Sequence, residues 1–227
     1  MREIGESILF SRNTGVETVK SGVDGVDAII MCKAPVVGGV KTRLTSVYSE
    51  IEAAEIHQAM AGTVIRRITS MFSNCRIAAD DVSHPFFESF GLPLVAQGEG
   101  DLGARMSRLM VDAFNSGAQA VLFLGTDSPH MESSRLTEAV KQLETYDVVV
   151  GPVEDGGYDL IAMNRPHIEL FTNIRWGSEH VLDETRQRAK ASGISTGLLA
   201  VSFDLDTPES LERAKPLWAP AMIRKQV

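Results

Sequence analysis

The strongest constraint on the fold is a set of short apolar runs that do not alternate. Ala28-Ile29-Ile30-Met31-Cys32 offers no polar residue to either side of a strand, the pattern of a strand covered on both faces. It marks a first strand over Asp27 to Lys33. Ala120 to Leu124 and Asp147 to Val150 repeat the pattern. The stretches between them carry helical spacing instead. Ser49 to Phe72 places Ile51, Ala54, Ala61, Val64, Ile65 and Ile68 on one face. Asp101 to Ser116 opens on an acidic cap and carries Leu102, Met106, Leu109, Met110 and Ala113, and Ser133 to Glu144 forms a third helix. Shorter strands fit at Arg76 to Ala79 and Pro93 to Gln97. This β-α-β alternation predicts a mostly parallel sheet with right-handed crossovers. Beyond Gly151 the rhythm changes, and Tyr158 to Met163 follows a glycine turn as an antiparallel or mixed edge. A helix over Ser178 to Ala191, a strand over Leu198 to Phe203 and a short helix over Pro208 to Ala214 close the chain.

A length of 227 residues suits one large α/β domain over residues 27–227, with residues 1–26 as an N-terminal appendage. The net charge of -8 and pI of about 5.2 argue against a nucleic-acid partner or an anionic membrane surface, so any phosphate site must be local. Met1 to Asn13 has Glu3 and Glu6 beside a brief apolar run, which fits neither a signal peptide nor a membrane-inserted span. The two cysteines, Cys32 and Cys75, lack the spacing of a disulfide framework or a zinc site. They read as reduced thiols of a cytoplasmic protein.

Three unusual segments each begin where an apolar strand ends. In an open parallel sheet the carboxyl ends of the strands share one edge, and ligands lie in the crevice beyond it. The first segment, Ala34-Pro35-Val36-Val37-Gly38-Gly39-Val40-Lys41-Thr42-Arg43-Leu44, pairs glycines that admit close backbone approach with Lys41 and Arg43. It is either a diphosphate cradle or a surface turn with solvated charges. It matches neither a Walker A loop nor a dinucleotide fingerprint. In the second, Gly125-Thr126-Asp127-Ser128-Pro129, Asp127 is the first candidate to ligate a hard divalent cation, the alternative being a turn or cap before the next helix. The third, Gly151-Pro152-Val153-Glu154-Asp155-Gly156-Gly157-Tyr158, offers Asp155 to a metal, a ribose or an acceptor, or else as the Asp-Gly of a hairpin turn.

Near the end, Thr207 and Pro208 read as a helix cap and first helical residue, with Asp206 either a second metal ligand or part of that cap. His57 reads as structural and His130 as a turn residue. Trp176 either borders an acceptor pocket or anchors its loop. No Ser/His/Asp or Cys/His arrangement supports covalent catalysis.

Taken together, Lys33-Ala34-Pro35 with Val40 to Leu44, Gly125 to Pro129, Gly151-Pro152 with Asp155 to Tyr158, and Asp204 to Pro208 resemble the DUF2064 family over roughly residues 27–214. That family is part of the nucleotide-diphospho-sugar transferase superfamily. The resemblance implies a Rossmann-like GT-A fold, a three-layer α/β/α sandwich with a mostly parallel mixed sheet, related to molybdenum cofactor nucleotidyltransferases and phospholactate guanylyltransferase. It implies a transferase in which Lys33, Pro35, Gly38, Gly39, Lys41 and Arg43 hold nucleotide phosphates. Asp127 and Asp155 would be catalytic, and Asp127 with Asp206 would ligate Mg²⁺ or Mn²⁺. Glu154, Gly156, Gly157, Tyr158 and Trp176 would face the sugar or acceptor. The family more often has Arg where this chain has Gly39. The donor would be a nucleotide-sugar, giving glycosyl transfer to a small-molecule acceptor, or a nucleoside triphosphate, giving nucleotidyl transfer. The remaining alternative is a nucleotide-binding module without turnover.

Overall fold

The computed structural model of the protein describes residues 23–218 and residue 220. The appendage expected over 1–26 falls largely outside them. Seven strands form one mixed sheet, named here in chain order: β1 (Val23–Cys32), β2 (Phe72–Ala79), β3 (Leu94–Ala96), β4 (Ala120–Leu124), β5 (Val148–Pro152), β6 (Tyr158–Met163) and β7 (Thr196–Leu198). Their order across the sheet is β3-β2-β1-β4-β6-β5-β7. Every neighbouring pair is parallel except β4–β6 and β5–β6, so β6 alone runs against the others. The carboxyl ends of β1, β4 and β5 therefore lie on one edge, as the three strand-end segments require.

Alternate residues of the strands feed two apolar layers. Ala28, Ile30 and Cys32 pack with Ala61, Val64, Ile65 and Ile68 of α1 (Glu50–Met71) and with Leu136 and Ala139 of α3 (Ser133–Gln142). Ile29, Val121 and Phe123 face the opposite way, onto Met106, Leu109 and Met110 of α2 (Leu102–Asn115) and Ala189 of α4 (Val181–Ala191). A strand covered by helices on both faces has no use for polar alternation, which is why β4, β5 and the Ala28–Cys32 stretch of β1 are apolar throughout. The result is the expected three-layer α/β/α sandwich.

A third, smaller cluster matters more for the site. Leu44, Ala53, Ile56 and Met60 bury Phe203, Leu205 and, from α5 (Pro208–Ala214), Leu211 and Ala214. It clamps the segment before α5 against the start of α1. Both helices start where the sequence signals them. Ser49 and Glu52 form a reciprocal capping box on α1, and Thr207 with Ser210 does the same for α5, with Pro208 at its first turn.

Three boundaries differ from expectation. β1 begins at Val23 rather than Asp27, because its early residues pair with β2, which itself starts at Phe72 rather than Arg76. The last strand covers Thr196–Leu198 rather than Leu198–Phe203. As an edge strand it has only β5 to pair with, and after Leu199 contact shrinks to a bridge between Val153 and Ser202. Phe203 and Leu205 leave the sheet for the third cluster. Short 3₁₀ helices at Thr42–Ser46, Pro85–Phe90 and Ile168–Phe171 were not anticipated, since their few residues carry no period.

Candidate active site at the strand carboxyl ends

A cavity of about 550 Å³ opens beyond the ends of β1 and β4, walled by Lys33, Gly39, Val40, Lys41, Thr42, Arg43, Thr126, Asp127 and Asp206. Three stretches far apart in sequence meet here for identifiable reasons. Leu205 N donates to the Asp127 carbonyl at 2.9 Å and the Ser128 hydroxyl donates to the Phe203 carbonyl at 3.2 Å, while fully buried Leu205 anchors the strand-like segment below. Asp206 is thereby delivered beside Asp127. The cap role of this stretch falls to Thr207, which frees the Asp206 carboxylate for the cavity.

Lys41 lies between the two acids. Its Nζ is 2.8 Å from Asp127 Oδ1 and 2.5 Å from Asp206 Oδ1, with its own side chain only 4% exposed against 46% and 31% for the acids. Burial alone would push the Lys41 ammonium toward neutrality, but the two carboxylates reverse this and hold its pKa above the ordinary value. Loss of hydration works against ionising Asp127, and Lys41 more than offsets it, leaving that carboxyl below its usual range. Lys41 and Asp127 thus hold each other in their charged forms. Arg43 stands 3.9 Å from Asp206 with its side chain largely in solvent.

The phosphate-loop expectations divide. Lys33, Gly39, Lys41 and Arg43 line the cavity, whereas Pro35 is buried and Gly38 lies outside the lining. Pro35 and Gly38 shape the loop instead: Gly38 has φ +76, and the Gly39 amide closes a turn onto the Val36 carbonyl.

A narrower hollow of about 120 Å³ adjoins the first, sharing Gly125 and Asp127, and is lined further by Ser128, Asp155, Gly157, Tyr158 and Asp204. Asp155 forms the expected turn and also faces this hollow. Its carboxylate accepts from the Gly157 amide at 2.8 Å, fixing the turn, and it borders the hollow. Gly156, at φ +86, is required by the turn, since a Cβ there would meet the Glu179 backbone at 2.1 Å. Three of the acceptor-side candidates, Glu154, Gly156 and Trp176, lie outside both linings. Glu154 lines neither cavity, and its carboxylate is taken by Arg213 at 2.7 Å. Trp176 also lines neither and packs edge-on to Tyr158 and against Phe171, which makes it a loop anchor.

Other site residues escaped the sequence. Gln97 and Arg105 complete the cavity from the end of β3 and the first turns of α2. The buried Gln97 amide donates to the Cys32 and Ala78 carbonyls, and its Oε1 accepts from Arg105, whose guanidinium also donates to the Gly100 carbonyl. Arg105 is thus positioned by neutral groups and stands in no ion pair among the described residues. His57 also borders the cavity; its Nε2 donates to the Lys33 carbonyl, and burial lowers its pKa, keeping it neutral. Asp204, in the small hollow, has its pKa raised to about 6 by burial and then by Asp206, Asp155 and Asp127. Applying the strand-end rule to β3 would have found Gln97 and Arg105. Only the third dimension reveals His57 and Asp204.

Cation ligation can be tested against this donor set. Among the described residues no group of three or more His, Cys, Asp or Glu is arranged to hold a metal. Asp127 and Asp206 nevertheless converge on one cation, the Lys41 ammonium. Mg²⁺ is commonly held by one or two carboxylates with water and substrate phosphates completing its shell, and two convergent oxygens beside a cationic cavity fit that pattern.

Elsewhere His130 stacks on Phe203 at 4.1 Å and takes no part in the cavity, as its turn position suggested. Cys32 is buried, which pushes its thiol up to about 12 and rules it out as a thiolate nucleophile. No helix among the described residues is long and apolar enough to cross a membrane.

Residues 75–178 match the family described as an uncharacterized protein conserved in bacteria, DUF2064, which bears out the resemblance drawn from the motifs. The matched span contains the Asp127 and Asp155 segments. No curated protein matches the sequence. Among solved structures, a protein of Desulfovibrio desulfuricans G20, named only provisionally as a nucleotide-diphospho-sugar transferase, is 26% identical, with a TM-score of 0.78 over 85% of this chain and 88% of that one. A CMP:2-keto-3-deoxy-manno-octonic acid synthetase complexed with CTP superposes at a TM-score of 0.58 and 13% identity, covering 89% and 99% of the two chains. A cytidylyltransferase of Leptospira borgpetersenii superposes at 0.56 and 14%, covering 86% and 88%. The last two share the fold.

Proposed function

We propose that this protein is a metal-dependent nucleotide-diphospho-sugar transferase whose donor lies in the cavity beyond β1 and β4. The observation that carries this is the convergence of Asp127 and Asp206 on one cation position, beside a wall carrying Lys33, Arg43 and Arg105. Carboxylates that gather a cation next to basic groups that are unpaired (Lys33, Arg105) or only loosely paired (Arg43) suit a diphosphate leaving group better than a neutral ligand. The likeness to the provisionally named Desulfovibrio protein supports the same donor class.

In this reading Asp127 and Asp206 would hold Mg²⁺ or Mn²⁺, whose charge stabilises the departing diphosphate when bound. Lys33, Arg43 and Arg105 bind the phosphates and hold the donor in register. Gln97 fixes the Arg105 guanidinium, so its geometry is set before the donor arrives. The adjoining hollow admits the acceptor, with Asp155 and Asp204 facing its attacking hydroxyl. Asp204, at about 6, is largely ionised at neutral pH and can accept that proton. Attack at the anomeric carbon transfers the sugar and releases the nucleoside diphosphate.

A second reading, nucleotidyl transfer from a nucleoside triphosphate, is favoured by charge. Lys33, Lys41, Arg43 and Arg105 outnumber Asp127 and Asp206 on the cavity wall, and that excess suits the greater negative charge of a triphosphate. Calorimetry across nucleoside triphosphates and nucleotide-sugars, each with Mg²⁺, Mn²⁺ or chelator, separates the two. Metal-dependent preference for one nucleotide-sugar over its parent triphosphate supports glycosyl transfer. The opposite preference establishes the second reading, and no binding of either class defeats both.

A further inference from the structure

Lys41 is expected on phosphate but sits on carboxylate, and three observations show how completely it is committed there. Its ammonium contacts both candidate cation ligands, Asp127 Oδ1 at 2.8 Å and Asp206 Oδ1 at 2.5 Å. It is more shielded from solvent than either acid it touches, at 4% exposure. Its backbone is left-handed, at φ 48 and ψ 39, a conformation that is uncommon for a residue bearing a Cβ and that persists only where its surroundings demand it. The neighbouring cations are not committed in this way. Lys33 and Arg105 are in no ion pair among the described residues, and Arg43 reaches Asp206 only at 3.9 Å.

An ammonium and a divalent cation cannot share the same two oxygens, because each needs their negative charge and the two cations repel. For a divalent ion to enter, Lys41 must leave, and it must leave toward another anion. Among the described residues the basic wall of this cavity supplies no further anion, and the carboxylates of Asp155 and Asp204 border the adjoining hollow instead, so the anion that draws Lys41 along the wall is the one a nucleotide brings. Gly38 and Gly39, just upstream and solvent-exposed, give the loop the backbone freedom to turn.

We propose that Lys41 is a built-in counter-ion that closes the divalent-cation position of the unliganded protein and opens it when nucleotide phosphates draw the ammonium away. This rests on the proposed role of Asp127 and Asp206 as cation ligands. Cation and nucleotide then bind as a coupled pair, each raising the affinity for the other, as thermodynamic reciprocity requires. Lys41 thereby serves both partners in turn, as counter-ion to the acids in the resting state and as phosphate ligand in the loaded one.

The test is a Mn²⁺ titration followed by electron paramagnetic resonance, without nucleotide, on the full chain and on Lys41→Met, Lys41→Gly and Lys41→Met/Asp127→Asn. Lys41→Gly relaxes the left-handed backbone and guards against misfolding of the methionine variant; thermal melts check both. The expected result is Mn²⁺ binding at least tenfold tighter in the two single variants than in the unaltered protein, and lost in the double variant. If Mn²⁺ binds in an Asp127-dependent way but no tighter without the lysine, the counter-ion proposal is overturned while the cation ligands stand. If no form shows Asp127-dependent binding, the cation assignment itself fails and the proposal with it.

Discussion

Two buried ion clusters in this molecule look alike in composition and differ in purpose. At the start of β6, where Asp159 also borders the small hollow, Arg135 holds Asp159 with two contacts of 3.1 Å and donates as well to the Pro152 and Ala200 carbonyls. Its donors are spent on protein, and the arrangement ties α3 to β6 and to the loop after β7. The cluster of Lys41, Asp127 and Asp206 is open by contrast. Its acids keep exposure of 46% and 31%, and it borders a cavity whose wall also carries Lys33 and Arg105, neither in an ion pair among the described residues. The first cluster is satisfied by the fold; the second needs a ligand to be satisfied. A buried pair is evidence for architecture when its groups are fully spent, and for a site when they are not.

The same contrast separates the two ends of the sheet. A hollow of about 450 Å³ at the opposite edge is nearly as large, but the charged groups among its described lining residues, Asp27 and Arg76, are bonded to each other. Size alone does not distinguish them.

If the open cluster is functional, Asp127→Asn removes the charge that gathers the cation. Turnover should fall about 10³-fold, the scale of losing a preorganised electrostatic contact, with the fold retained because Lys41 keeps Asp206 as its partner. Near-normal activity would break the comparison at its functional side. If the closed cluster is structural, Arg135→Met should destabilise the fold by about 3 kcal/mol in urea unfolding, because it strands a buried carboxylate. Nucleotide binding by the folded fraction should persist. Arg105→Ala sharpens the functional side: losing a charge-assisted contact of about 1.5–3 kcal/mol predicts a KM for the nucleotide donor raised about 10- to 100-fold, with kcat little altered.

The pH dependence follows from two acids. Asp159 and Asp204 each titrate at about 6 in the fold against an ordinary 3.8. Between those values the native state holds protons that the unfolded chain has released, so stability falls as pH rises from about 4 to about 6. Asp204→Asn should remove its share, on the order of 1 kcal/mol at neutral pH, measurable by denaturation at pH 4 and pH 7. The smallest effect belongs to Glu154→Ala. An exposed pair with Arg213 adds little to stability, and activity should stay within twofold; a large loss would return Glu154 to the acceptor site.

The sheet and its helices were legible because burial on both faces leaves a one-dimensional trace. Unbroken apolar runs mark β1, β4 and β5, and capping residues such as Ser49 and Thr207 mark helix starts. The strand-end rule then located Lys41, Asp127 and Asp155 from sequence. It missed Gln97 and Arg105 because it was drawn from the long apolar runs, whereas β3, Leu94–Ala96, is a short strand. His57 and Asp204 were hidden for a different reason. His57 sits on a helix face that reads as core, and Asp204 reaches the site only because Leu205 is pinned to Asp127 across the fold. Glu154 and Trp176 show the converse error, in which neighbours of a site residue in sequence point elsewhere. The ion contact of Lys41 has no sequence trace, since its phosphate and carboxylate partners demand the same side chain.

The most direct test of the account is an anomalous difference map from crystals of the protein grown with Mn²⁺ and the nucleoside diphosphate of the donor chosen by the binding panel. The account predicts a peak about 2.1 Å from one oxygen each of Asp127 and Asp206, with the Lys41 ammonium moved onto phosphate. Nucleotide bound with no peak between those carboxylates, or with Lys41 still bridging them, would contradict it.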